Sequence, residues 1–119
     1  MHPKSLKLLE DIRDAASFVC ESVNNLDRDA YKANRLLRQA VERNFEIIGE
    51  ALNRLSQLDV ATADRAGPVA QIKAFRNILI HAYDSIDHDI VWDVIQNKLP
   101  SLLQNVEQIL TENVGEDEH

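Results

Sequence analysis

Apolar residues return every three or four positions along almost the whole chain, and this spacing decides what it can fold into. Leu8, Leu9, Ile12, Ala15, Ala16, Val19 and Val23 set the pattern. At about 100° per residue they gather on one side of a helix. A first helix is therefore predicted over residues 4–24, with Asn24, Asn25 and Asp27 as its stop and the next cap. Leu37, Val41, Ile48, Ala51, Leu52 and Leu55 predict a single long helix over 29–58. Gly49 lies inside it at a cost of about 1 kcal/mol relative to Ala, which a close helix crossing would justify. Residues 59–67 read as a polar connection ending in Gly67. Pro68 suits the first turn of a third helix carrying Ile72, Phe75, Leu79 and Ala82. Asp87 is the expected N-cap of a fourth helix with Ile90, Val91, Val94 and Ile95, and Pro100 opens a fifth with Leu102, Leu103, Val106, Ile109 and Leu110.

Three glycines and three prolines in 119 residues leave little punctuation for hairpins, and 45% hydrophobic residues suit one modest core. The expected fold is all-α, a four-to-five-helix up-and-down bundle. One domain is expected over residues 1–113, with a disordered acidic tail over 114–119. The start of the chain shows no apolar signal region, and no run approaches the ~20 apolar residues that span a bilayer. Cys20 is the one cysteine, so no intrachain disulfide forms, and the expected setting is cytoplasmic, away from membranes. Cys20 itself reads as a small buried hydrophobe.

A net charge of −7 argues against a protein that coats nucleic acid indiscriminately. The charge is unevenly spread. Residues 28–76 hold nine of the thirteen Lys and Arg against six carboxylates, and the rest holds four against fourteen. One face can meet a polyanion while the other keeps the molecule in solution. A randomly mixed, solvated surface fits the charge equally well.

The chemistry concentrates in Arg76-Asn77-Ile78-Leu79-Ile80-His81-Ala82-Tyr83, where a cation, an amide, an imidazole and a phenol share one predicted helix. On a regular helix Arg76 and Tyr83 are about 20° apart, Asn77 and His81 are i,i+4 neighbours, and Arg76 and His81 are about 140° apart. Three arrangements reunite the last pair: a helix that loosens before His81, an Arg side chain that reaches around, or a second chain. These groups suit metal-free RNA cleavage. Histidine moves protons near neutral pH, and a forked guanidinium matches the charge of a pentavalent phosphorane. A two-fold dimer would supply two imidazoles, one as base and one as acid. The same residues also fit plainer roles: Arg76 as a solvated flank, His81 at a helix C-terminus, Tyr83 on a rim.

Other polar groups have cheaper explanations. Asp89 and Asp93, at i,i+4, could hold a hard cation, but capping and solvation account for them. Trp92 is expected in the core or a dimer interface. Glu42, Glu46 and Glu50 are expected to pair with Arg38, Arg43 or Arg54. No metal or cofactor is expected.

Three blocks in order resemble the HEPN domain family, in particular its HepT group. The first is Ala40 to Ala51, reading AVERNFEIIGEA. The second is Arg76-Asn77 with His81-Ala82-Tyr83, matching the motif Arg-x-x-x-x-His-x-Tyr. The third is Ile86-Asp87, Val91-Trp92 and Leu99-Pro100. The likeness runs from about residue 5 to 112. It implies a ribonuclease toxin with Arg76 and His81 as catalytic residues and Asn77 in support. It also implies a small nucleotidyltransferase antitoxin of MntA type, which transfers AMP from ATP onto Tyr83, and a homodimer that can join the antitoxin in a larger hetero-oligomer. The alternative expectation is a non-catalytic accessory subunit that binds nucleotide or substrate for a nucleotidyltransferase.

Overall fold

The computed structural model describes residues 1–67 and 86–117, with side chains to Asn113. Among them are six helices: α1 (Pro3–Ser22), α2 (Arg28–Ala33), α3 (Arg35–Leu58), α4 (Val60–Ala66), α5 (His88–Asn97) and α6 (Leu99–Asp117). No described residue is in a strand, and the fold is all-α. The predicted third helix, over Pro68 to Ala82, lies outside the described residues.

Local chemistry sets the boundaries. Pro3 opens α1, where a missing N–H costs nothing, and the His2 ring accepts from the Lys4 amide at 3.0 Å. Asn25, at φ 67°, turns the chain after α1 in the left-handed conformation that Asn tolerates better than most residues. Asp27 then caps α2 by accepting from the Ala30 amide at 2.8 Å.

The single helix expected over 29–58 is two. Asn34 takes an extended conformation (φ −103°, ψ 93°) and closes α2 through its N–H to the Tyr31 carbonyl at 3.2 Å. Its side chain opens α3 by accepting from the Leu37 amide at 3.0 Å. A short side chain that bonds its own backbone competes with helix propagation, and here it wins. The expected connection over 59–67 also contains a helix. Asp59 caps α4, and Thr62, Ala63 and Ala66 bury one face of it. The last helix continues to Asp117, so the stretch expected as an unstructured tail from residue 114 begins as helix.

Helices α3 and α6 pack antiparallel to α1. Ser5 at its start donates to Asp59 beyond the end of α3 (3.3 Å), and Met1 meets Asn113 near the end of α6 (3.3 Å). Leu9, Ile12 and Val19 of α1 are fully buried with Val41, Ile48 and Leu55 of α3 and Leu99 and Val106 of α6. Each such side chain removes about 1.5–3 kcal/mol worth of apolar surface from water. The α4 helix is pinned to α6 by Arg65–Glu112 at 2.7 Å and by Asn105 donating to the Ala66 carbonyl at 3.3 Å. Cys20 is half-buried at the core edge, and burial pushes its thiol upward. A Cβ placed on Gly49 would meet nothing within 4 Å among the described residues, so none of the described helices makes the close crossing expected there.

Candidate functional site

Arg76, Asn77, His81 and Tyr83 all fall between residues 68 and 85 and so lie outside the described residues. What is described is the frame on either side. Upstream, α4 ends at Ala66 and its cap Gly67 donates to the Ala63 carbonyl at 3.1 Å. Downstream, Ile86 leads through Asp87 into α5. The Asp87 carboxylate accepts from the Asp89 and Ile90 amides at 3.0 and 3.3 Å, as its spacing predicts.

The start of α5 closes a polar cluster with α2 and α3. His88, the first residue of α5, sits 2.6 Å from a terminal nitrogen of Arg38 on α3. Arginine can only donate, so His88 Nε2 is the acceptor and Nδ1 carries the proton. Neither His88 Nδ1 nor Arg38 Nε has a hydrogen-bond partner among the described residues. Glu42, one helical turn beyond Arg38, is half-buried. Burial raises its carboxyl, while the positive charge of Arg38 acts in the opposite direction. Beneath them the fully buried Tyr31 ring lies 5.4 Å from Trp92, tilted by 34°. Its hydroxyl, without a partner among the described residues, is pushed up to about 12, chiefly by burial and then by Glu42. Trp92 is thus a core residue, as expected.

Ion pairs flank this cluster. Arg28 reaches Asp89 at 3.1 Å and Asp93 at 2.7 Å, and Lys32 reaches Asp89 at 3.1 Å. The two aspartates weighed as cation ligands therefore tie α2 to α5. Among the described residues no group of three or more metal-ligating side chains gathers. On α3, Arg43 pairs with Glu46 and Arg54 with Glu50, as their spacing predicts. Glu42 faces Arg38, one of its expected partners, and also His88. Sequence reasoning missed the Arg38–His88 contact because fifty positions separate the two residues and neither belongs to a periodic pattern.

Among the described residues no helix is long and apolar enough to cross a membrane. A family model described as "Ribonuclease HepT-like" matches residues 8–109. A protein of Methanocaldococcus jannaschii named "Putative RNase MJ0127" is 31% identical over 112 residues, covering 94% of this chain and 88% of its own. A second from that organism, "Putative RNase MJ1380", is 34% identical over 99 residues, covering 83% and 90%. "Probable ribonuclease HepT" of Thermococcus cleftensis is 29% identical over 101 residues, covering 85% and 91%. No solved structure matches the chain.

Proposed function

Because the chain belongs to the HepT-like ribonuclease family, we propose that it is a metal-independent ribonuclease toxin, with Arg76 and His81 as its catalytic pair. The observation that carries this reading is the motif Arg76-Asn77…His81-Ala82-Tyr83, intact inside the span matched by the family. In the proposed reaction one His81 takes the proton of a ribose 2′-hydroxyl as its oxygen attacks the adjacent phosphorus. The bond to the 5′-oxygen breaks, and that oxygen takes a proton from a second imidazolium. A 2′,3′-cyclic phosphate and a 5′-hydroxyl result, and no redox partner is needed. Arg76 stabilises the extra negative charge of the phosphorane, and Asn77 supports the motif from the neighbouring position.

Two acid–base groups are needed and the motif holds one histidine, so the reading includes a homodimer whose two motifs face one cleft. It also includes an MntA-type nucleotidyltransferase antitoxin as partner, which neutralises the toxin by moving AMP onto Tyr83. Phosphate charge placed there competes with RNA for Arg76.

The test is cleavage of RNA by purified chain in EDTA. Wild type is expected to cut and leave cyclic phosphate ends, and His81→Ala is expected to lose at least 100-fold in rate, the usual worth of a general acid or base. Undiminished cutting by EDTA-treated His81→Ala protein rejects the assignment.

A further inference from the structure

A groove of about 550 Å³ runs between α1 and α3, lined by Lys4, Lys7, Leu8, Asp11, Arg54, Gln57 and Leu58. Its volume falls within the range of small-ligand sites, roughly 300–1,000 Å³. Three cations and one carboxylate line it, in a chain whose net charge is −7. One of the cations occupies an electrostatically awkward place. Lys4 is in the first turn of α1, at the positive end of the helix dipole, and that turn carries no acidic residue. A cation there is unfavourable unless an anion joins it.

The counter-charges present are weak competitors. Lys7–Asp11 (2.8 Å) and Arg54–Glu50 (2.9 Å) are exposed i,i+4 pairs, which contribute little in water. Asp59, which reaches the start of α1 through Ser5, is also engaged with Thr62. Leu8 and the exposed Leu58 give the groove an apolar wall, and Gln57 places an amide beside it. Cations at the rim, a flat apolar wall and one amide are the complement of a nucleotide, with its phosphate, base face and base edge. The two walls do not have to move to form it, since α1 and α3 are joined by the largest helix contact among the described residues.

We propose that this groove is a phosphate-holding subsite for one nucleotide of single-stranded RNA, contacted by Lys4, Lys7 and Arg54. The proposal rests on the RNA-cleaving reading above and extends it to a second surface, on helices that do not carry the motif.

The probe is a 2′-O-methyl oligouridylate of eight nucleotides, which binds without being cut. Its affinity for the full chain is read by fluorescence anisotropy between 50 and 200 mM salt. Lys4→Gln/Lys7→Gln/Arg54→Gln is expected to bind at least tenfold more weakly at the low-salt end. Its log–log salt slope should be shallower by about 0.7, the value for one single-strand phosphate no longer neutralised. On cleavable RNA the same variant should raise KM with kcat little changed. Arg13→Gln/Arg43→Gln/Lys98→Gln removes the same charge away from the groove and should leave binding near wild type. An equal loss in both triple variants overturns the subsite in favour of general charge attraction, and no loss in the groove variant overturns it outright. If the groove variant binds like wild type and still cuts, the subsite falls and the ribonuclease stands. If wild type binds through the groove and cuts nothing, the ribonuclease reading falls and the subsite stands. If wild type does not bind the probe, the subsite falls, and the ribonuclease reading is decided by the cleavage assay alone. Melting curves of both triple variants confirm that each is folded.

Discussion

The chain has two tyrosines, and their surroundings decide which one a nucleotidyltransferase could modify. Tyr31 is fully buried against Trp92, and its hydroxyl is pushed up to about 12. A phenol so placed is neither reachable by a second enzyme nor easily deprotonated to attack a phosphorus. Under the proposed regulation the expected acceptor is therefore Tyr83, the other tyrosine of the chain. When the chain is incubated with an MntA-type enzyme and ATP, intact-mass spectrometry should show whole increments of AMP. Tyr83→Phe should show none. AMP-sized mass on the Tyr83→Phe chain would move the acceptor to another residue and end the regulatory part of the reading.

One residue also holds elements together. Asp59 ends α3 through its N–H to the Leu55 carbonyl (2.8 Å). It starts α4 by accepting from the Thr62 amide (3.2 Å) and hydroxyl (2.7 Å), and it ties both to α1 through Ser5 (3.3 Å). The two Thr62 bonds, and then Ser5, hold its carboxyl below the ordinary 3.8. A carboxyl depressed in the fold stabilises it above the unfolded value, and that contribution disappears as pH falls through the folded value. Asp59→Ala should cost about 1–2 kcal/mol near neutral pH, as lost caps do. In urea melts the gap between wild type and variant should narrow below about pH 3.8. A gap that stays constant into acid would mean that the carboxylate charge is not what stabilises the junction.

Asn34 and Asp59 also mark where sequence reading stopped. The apolar stripes of α1, α3, α5 and α6 were legible because burial imposes a 3.6-residue period on them. The break at Asn34 was not, since one side-chain bond to the Leu37 amide outweighs the local propensity and leaves the stripe unchanged. Helix α4 was missed because its buried face is only Thr62, Ala63 and Ala66, too small to read as a stripe. At the candidate site the motif was legible as chemistry, since a cation, an imidazole and a phenol stand together in one short stretch of sequence. The Arg38–His88 contact and the α1–α3 groove arise from packing between distant segments, and no window of sequence contains them.

At the scale of the whole molecule, the requirement for two proton-transfer groups becomes a statement about assembly. In the proposed reaction one motif brings one histidine, so a cleft with both acid and base takes two chains, and activity is expected to follow the dimer population. When a dimer is diluted well below its dissociation constant, the dimeric fraction falls in proportion to concentration. Specific activity should fall with it, halving for each halving of chain concentration. Mass photometry at the same concentrations should show dimer giving way to monomer along the same curve. Mixing active chain with excess His81→Ala chain separates this from simple loss of protein by dilution. Most active chains would then be captured in dimers with a single motif histidine, and activity should drop although the amount of active chain is unchanged. Full activity at concentrations where only monomers are seen, or full activity in the mixture, would place both proton transfers within one chain. His88, its ring already held by Arg38, would then be the first residue to substitute in search of the second group.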